Sequence, residues 1–395
     1  MDKVKIFASI VDDVTKKQVE GLASSAAYKD STIRIMPDCH SGKGCTIGSV
    51  IHYTDKVVPN TVGVDIGCGM LVVNLGQIDI DLQKLDVVIN SFIPSGFNVH
   101  ESPVKSFNLN LHASVSHREY IQNSIGTLGG GNHFIEVDTD NNNNKYLVIH
   151  SGSRNLGVQV CNYWQERAIA KLTDIFMARH ALIEQYTKEG RQQEISEALK
   201  LIKRPEINNE LAYLEGDDLA MYIQDMEVCQ QYASVNRITM AEIIASKMGW
   251  GSCNTSFTTI HNYIDIPNKI IRKGAISANK DEVVIIPMNM RDGSLICKGK
   301  GNEDWLCSAP HGAGRIMSRK QALDKLNLED FKTSMQGIYT TSVSSGTLDE
   351  APMVYKSADV IMQDIKDTVD IIQVIKPIYN FKAKGEQWAL IAAQQ

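Results

Sequence analysis

The stretch "TVGVDIGCGMLVVNL", residues 61–75, holds a glycine-rich loop with Asp65 and Cys68 three apart, followed directly by an apolar run. The run reads as a strand and the loop as its functional end, because binding residues concentrate where strands give way to loops. The arrangement recurs in "STIRIMPDCHSGKGCTIGSVIHY" and "NKYLVIHSGSRNLG". "DTDNNNNKY" between two such runs reads as a polar turn, since asparagine tolerates turn dihedrals. From residue 256 onward strands and loops return. Between the two strand-rich parts, residues 158–250 are poor in glycine and have apolar positions three and four apart. One or two long helices are expected there, ending by Pro205, then another capped by Asp217 or Asp218 and ending near Gly249. The pattern predicts one large α+β domain spanning residues 1–395, with 158–250 as a helical insertion.

Bulk properties bound the function. The chain has 395 residues, 43% of them hydrophobic, enough for a sizeable core. The first twenty residues contain no long apolar run, so no signal peptide is expected, and no apolar stretch suits a membrane span. Eight cysteines are scattered without a CxxC pair, as expected of cytoplasmic thiols, with one or two serving as ligands. The net charge of −6 does not favour bulk attraction to nucleic acid, although a local basic cleft would suffice.

His40, His133, His150, His261 and His311 each adjoin glycine, asparagine or serine after an apolar run. One such histidine is ordinarily a hydrogen-bonded, half-buried ring. Repetition across loops points to chemistry instead. Asp65, Cys68, His133, His150 and His261 together supply a carboxylate, a thiolate and three imidazoles. Five ligands exceed one tetrahedral site with an open position and suit two neighbouring metals that share a ligand. Ligand softness favours zinc, a rank that geometry and metal supply can override, so composition alone does not name the metal. Arg154 and Arg315 each follow a histidine by four residues, and guanidinium groups recognise phosphate bidentately. Lys298 and Lys300 add positive charge in the sequence near Arg315. Metals, arginines and flexible glycines point to phosphoryl or nucleotidyl transfer. "GTLGGGNH" lacks the spacing of a dinucleotide fingerprint, and "HSGKGCTIG" is not a P-loop.

The stretches "MPDCHSGKGCTIGSV", "GVDIGCGM", "GTLGGGNHFIE", "IHSGSRNLG", "HNY", "GKGN", "SAPHGAGR" and "EAPMVYK" run in order from residue 36 to 356. In these motifs the chain resembles the RtcB family of RNA-splicing and RNA-repair ligases. The resemblance implies β-sheets around a hydrophilic cleft, flanked by helices. It implies a ligase that uses GTP and two Mn(II) ions to join an RNA 3′-phosphate or 2′,3′-cyclic phosphate to a 5′-hydroxyl, in some cases with an archease-type activator. By matching motifs, Cys68 would bridge the ions. His150 and His261 would complete one ion's protein ligands, and Asp65 and His133 the other's. His311 would be the nucleophile that takes GMP. Asn132, Phe134, Glu136, Tyr355 and Lys384 would hold the nucleotide, with Lys382 the alternative to Lys384. Arg154 and Arg315 would hold RNA or nucleotide phosphates. The ligand count agrees with the resemblance, because it leaves His311 outside the ligand set. "PMNMRDGS" stands where the family has a small, flexible loop, and the chain continues past "KAKGE". These departures would suit a branch devoted to repairing cleaved RNA. The competing expectation is a metal-dependent cyclic-phosphate phosphodiesterase, which would have no use for His311. A purely RNA-binding module would need basic and aromatic interleaving, and only 7% of residues are aromatic.

Overall fold

In the computed structural model the described residues are 2–251 and 255–383. A seven-stranded sheet runs in the order Val283–Asn289, Gly293–Gly299, Val369–Phe381, Phe134–Thr139, Lys145–Ser151, Gly69–Gly76 and Thr255–Ile260, every neighbouring pair antiparallel. A five-stranded sheet takes Val4–Ile6, Thr32–His40, Ile47–His52, Ile270–Lys273 and Asn262–Asp265 in that order. Ala275–Ser277 pairs with Ser308–Pro310 in a short ribbon. Both large sheets thus interleave strands from the two ends of the chain. The fold is α+β.

The turn expected at "DTDNNNNKY" closes the hairpin between Phe134–Thr139 and Lys145–Ser151. Asp140 Oδ1 accepts the N–H groups of Asn142 and Asn144, and Asn143 takes a φ of +63°. Each strand of the seven-stranded sheet alternates its faces. Leu71, Val73, Ile135, Val137, Leu147 and Ile149 pack on one side, with Ile89, Met240 and Ile244 from helices. Met70, Val72, Phe134 and Val148 lie on the other side with Ile285 and Ile296. By the same period, Glu136 and His150 share this second face.

The helical region differs in detail from its sequence pattern. Helices span Arg154–Leu172, Phe176–Lys188, Ile195–Leu201 and Gly216–Met248. The first therefore starts at Arg154, inside a loop motif. Asp217 and Asp218 are not caps; Glu215 takes the N-cap position, and both aspartates sit in the first turn, where the helix dipole favours them. Gly249 ends the 33-residue helix in the left-handed conformation, as expected. No helix among the described residues is long and apolar enough to cross a membrane.

A candidate metal and nucleotide site

The ligand residues gather at one end of adjacent strands. Gly69 pairs with Ser151 and with Ile260, and His150 pairs with both Met70 and Phe134. Cys68, His133 and His261 each stand at the end of one of these strands. Two glycines permit the approach. A Cβ on Gly69 would lie 2.4 Å from Thr259 O, and one on Gly152 would lie 2.0 Å from Asp65 Oδ1. Cys68 Sγ lies 3.4 Å from His133 Nε2 and 3.3 Å from His150 Nε2. His150 Nε2 is 3.4 Å from His261 Nε2, and Asp65 Oδ2 is 3.0 Å from His133 Nε2.

The outer nitrogens fix the tautomers. His133 Nδ1–H donates to Leu128 O at 3.0 Å, and His150 Nδ1–H donates to Asn132 O at 3.2 Å. Each Nε2 is thereby turned inward, where it becomes a donor atom for a metal once it carries no proton. Burial, then the neighbouring imidazoles, hold His150 and His261 well below the usual histidine range, so both rings are neutral. Burial pushes the Asp65 carboxyl up, but its hydrogen bond and charge interaction with His133 outweigh that and hold it down to about 2. Burial and then the Asp65 charge push the Cys68 thiol well up, so a cation at the sulfur is needed to draw its proton off. Cys68, His133 and His150 present atoms all within 4.8 Å of one another, a set that fits a bound cation. Asp65 joins this set through His133, and His261 joins it through His150.

His311 borders the cluster, its ring 4.8 Å from that of His261. Its Nδ1–H donates to Asp38 Oδ2 at 2.6 Å. The same oxygen accepts the backbone N–H groups of His311 at 3.0 Å and Gly312 at 3.2 Å. Asp38 is 0% exposed. Asp38 lies in the same motif as His40, and the sequence pattern does not mark it as a functional residue. The only signal was an acid within an apolar strand, at "MPDC". With Nδ1 committed, His311 has Nε2 free to act as a nucleophile.

A cavity of about 990 Å³ opens beside His311, lined among others by Asn132, Phe134, Glu136, Arg315 and Tyr355. Glu350, which the motif reading did not single out, anchors its wall. It takes Arg315 Nη1 at 3.3 Å, Arg319 Nη1 at 2.8 Å, Lys382 Nζ at 2.9 Å and the Tyr355 hydroxyl at 2.6 Å. Burial raises the Glu350 carboxyl, but Lys382, Arg319 and Arg315 draw it down to about 2. Three cations around one buried carboxylate suit an anionic ligand. Lys382 lines the cavity, its Nζ 5.4 Å from the Phe134 ring centre, whereas Lys384 lies outside the described residues.

Other expected residues are placed elsewhere or otherwise engaged. Arg154 is not among the cavity residues; its Nη2 donates to Gly96 O at 3.1 Å and its guanidinium fills the space over Gly129. Arg315 faces the cavity, but Nε and Nη2 also donate to Met317 O and Asp349 O. Lys298 and Lys300 pair with Asp281 and Asp370 and do not line the cavity. The "PMNMRDGS" segment contributes Met288, Asn289 and Met290 to the wall, while Arg291 pairs with Asp292.

The family model described as "tRNA-splicing ligase RtcB" matches residues 18–118 and 102–383. The chain is 28% identical to the RNA-splicing ligase RtcB of Escherichia coli (strain K12), over 89% of this chain and 90% of that protein. It is 28% identical to the RNA-splicing ligase RtcB2 of Escherichia coli strain ATCC 25922, over 89% of this chain and 87% of that protein. The tRNA-splicing ligase RtcB of Methanococcus maripaludis is 24% identical, over 93% of this chain and 88% of that protein.

Proposed function

Since the chain belongs to the RtcB family of RNA-splicing ligases, we propose that it is a GTP- and Mn(II)-dependent enzyme joining RNA 3′-phosphate or 2′,3′-cyclic phosphate ends to 5′-hydroxyl ends through a covalent histidine–GMP intermediate. The observation that carries this reading is His311: an imidazole beside a set of metal ligands, its Nδ1–H held by Asp38, on the rim of a cavity. A phosphodiesterase needs no such group.

Asp65, Cys68, His133, His150 and His261 would hold two Mn(II) ions, which would supply Lewis acidity toward phosphoryl oxygens. His311 Nε2 attacks the α-phosphorus of GTP; the P–N bond forms as the bond to the β-phosphate oxygen breaks and pyrophosphate leaves. Asp38 keeps the proton on Nδ1 and stabilises the positive charge that develops on the ring. Water opens a 2′,3′-cyclic end by breaking its P–O2′ bond, and an oxygen of the resulting RNA 3′-phosphate takes GMP from His311. The 5′-hydroxyl attacks the activated 3′-phosphate, and GMP leaves. Arg315, Arg319 and Lys382 offset the phosphate charge. Asn132 contacts the phosphates, Phe134 and Tyr355 pack on the nucleotide, and Arg154 supports the RNA side. RNA repair or tRNA splicing in the cytoplasm is the setting.

The test combines two assays on the full chain. With α-labelled GTP and Mn(II), the protein should acquire acid-labile label. RNA ending in a 2′,3′-cyclic phosphate should then be joined to 5′-hydroxyl RNA. Hydrolysis of the cyclic phosphate without any label, under Mn(II), Zn(II) or Mg(II), would leave the phosphodiesterase reading in its place.

Glu136 gives a pH signature. Burial pushes its carboxyl up to about 7, against the Asn380 hydrogen bond and the Lys382 charge. To accept N–H groups at the guanine edge it must be ionised. The KM for GTP in the labelling reaction should therefore fall as pH rises through about 7 and then level off. Glu136→Gln should raise KM about tenfold, the scale of one lost charged hydrogen bond, and remove that inflection. A wild-type KM that does not change over this range would exclude Glu136 from the guanine edge.

A further inference from the structure

Asp65 and Cys68, His133, and His150 come from three chain segments that meet at the centre. The long helix Gly216–Met248 passes beneath them. Gly67, between the two ligands of its loop, rests on this helix: a Cβ there would lie 2.8 Å from Gln230 Cα, and its φ is +73°. Gln230, Ala233 and Arg237 have the spacing of one helix face. Arg237 Nη1 donates to Gly67 O at 2.9 Å and to Ser151 O at 2.8 Å. A single nitrogen thus ties the Asp65–Cys68 loop to the strand end that carries His150.

Asn236 ties in the third segment. Its Oδ1 accepts Gly126 N–H at 2.8 Å and Thr127 N–H at 3.0 Å. Its Nδ2 donates to Thr127 O and to Ser151 Oγ, both at 3.1 Å. Ser151 Oγ–H in turn donates to Leu128 O at 2.8 Å, the carbonyl that also accepts His133 Nδ1–H. Asn236 is 0% exposed and Arg237 is 1% exposed.

Arg237 is a costly way to make two hydrogen bonds. Its Nε and Nη2 have no hydrogen-bond partner among the described residues. A buried guanidinium is retained where negative charge stands beside it. Burial pushes the Arg237 guanidinium down to about 10, against the opposing pull of Cys68 and Asp65.

We propose that Arg237 is a positioning residue of the metal centre, acting through the Gly67 and Ser151 carbonyls to hold Asp65, Cys68 and His150 in ligating geometry. The inference rests on the metal-binding reading of the site. Removing an outer partner of this kind lowers metal affinity about 10–100-fold.

The experiment is a Co(II) titration of the full chain, following thiolate-to-cobalt charge-transfer absorption and the ligand-field bands. Arg237→Gln should bind Co(II) about 10–100-fold more weakly, with altered ligand-field bands and an unchanged circular dichroism spectrum. Arg237→Lys keeps the charge on a shorter reach and should show a smaller loss in the same direction. A residue that only props the fold would lower the melting temperature and leave affinity and bands alone. Wild-type affinity and bands in either folded variant overturn the proposal, and Arg237→Lys decides the matter if the glutamine variant does not fold. Absence of a thiolate band in the wild type overturns the metal reading and this inference with it. A normal wild-type band with unchanged variants overturns this inference alone.

Discussion

His311→Ala is expected to eliminate acid-labile labelling of the protein by α-labelled GTP, with a loss of at least about 10⁴-fold, because no other group replaces a deleted nucleophile. Joining of RNA ends should fall with it. Two properties should survive. Co(II) binding should keep its affinity and its thiolate band, because His311 packs against His261 without entering the close set formed by Cys68, His133 and His150. Opening of a 2′,3′-cyclic phosphate should also survive, since water attacks there and the histidine is not consumed. This combination separates three roles for one ring. A metal ligand would take a share of Co(II) binding with it when removed. A structural ring would lower the melting temperature and leave labelling of the remaining folded protein intact. Only a nucleophile loses labelling alone. Residual labelling of the alanine variant at the wild-type rate would move the covalent step to another side chain, with His40, which also lines the cavity, the first to examine.

How much of this centre could be read in the sequence depended on whether a residue's role was local. The glycines around Asp65, Cys68 and His150 were legible because close approach demands them, and Gly152 against Asp65 is the physical case. The strand–turn–strand at residues 134–151 was legible for the same reason, since Asp140 and its asparagines form the turn among themselves. Asp38 was not legible as a partner of His311, because the two are 273 residues apart and meet only when Thr32–His40 comes alongside Ser308–Pro310. Asn236 and Arg237 looked like polar residues of a helix, and nothing local says that their side chains turn inward. The two arginines that follow histidines by four residues show the converse. Arg154 opens a helix with a φ of +56° and packs its guanidinium against the Gly129 loop, whereas Arg315 follows a short strand and faces the cavity. Equal spacing in sequence did not give equal geometry, because the backbone after each histidine belongs to a different element.

Asp38→Asn is expected to slow labelling by GTP about 10²–10⁴-fold, the range for a carboxylate that orients and charge-stabilises a catalytic imidazole. Three N–H groups converge on Asp38 Oδ2, two of them backbone donors that fix the "HGAGR" turn. Gly314 is part of the same arrangement, since a Cβ there would lie 2.4 Å from Asp38 O. Asparagine can place its carbonyl oxygen at the position of Oδ2 and keep those bonds. Its amide nitrogen then takes the place of Oδ1, which is buried and has no hydrogen-bond partner among the described residues. What the substitution removes is negative charge. In the proposed reaction the ring would become cationic as Nε2 bonds to phosphorus, and a neutral amide would not stabilise that state. Asp38 does not line the cavity, so the KM for GTP should stay close to wild type while kcat falls. Asp38→Ala is the less clean variant, because it leaves the His311 and Gly312 N–H groups unpaired at a cost of about 1–3 kcal/mol each. Labelling at the wild-type rate in folded Asp38→Asn would reduce the Asp38–His311 bond to a device that shapes the turn. A raised KM with unchanged kcat would instead place Asp38 in nucleotide binding. A lower kcat at constant KM, with the Co(II) spectrum unaltered, is the outcome that the placement of Asp38 behind His311 and outside the cavity requires.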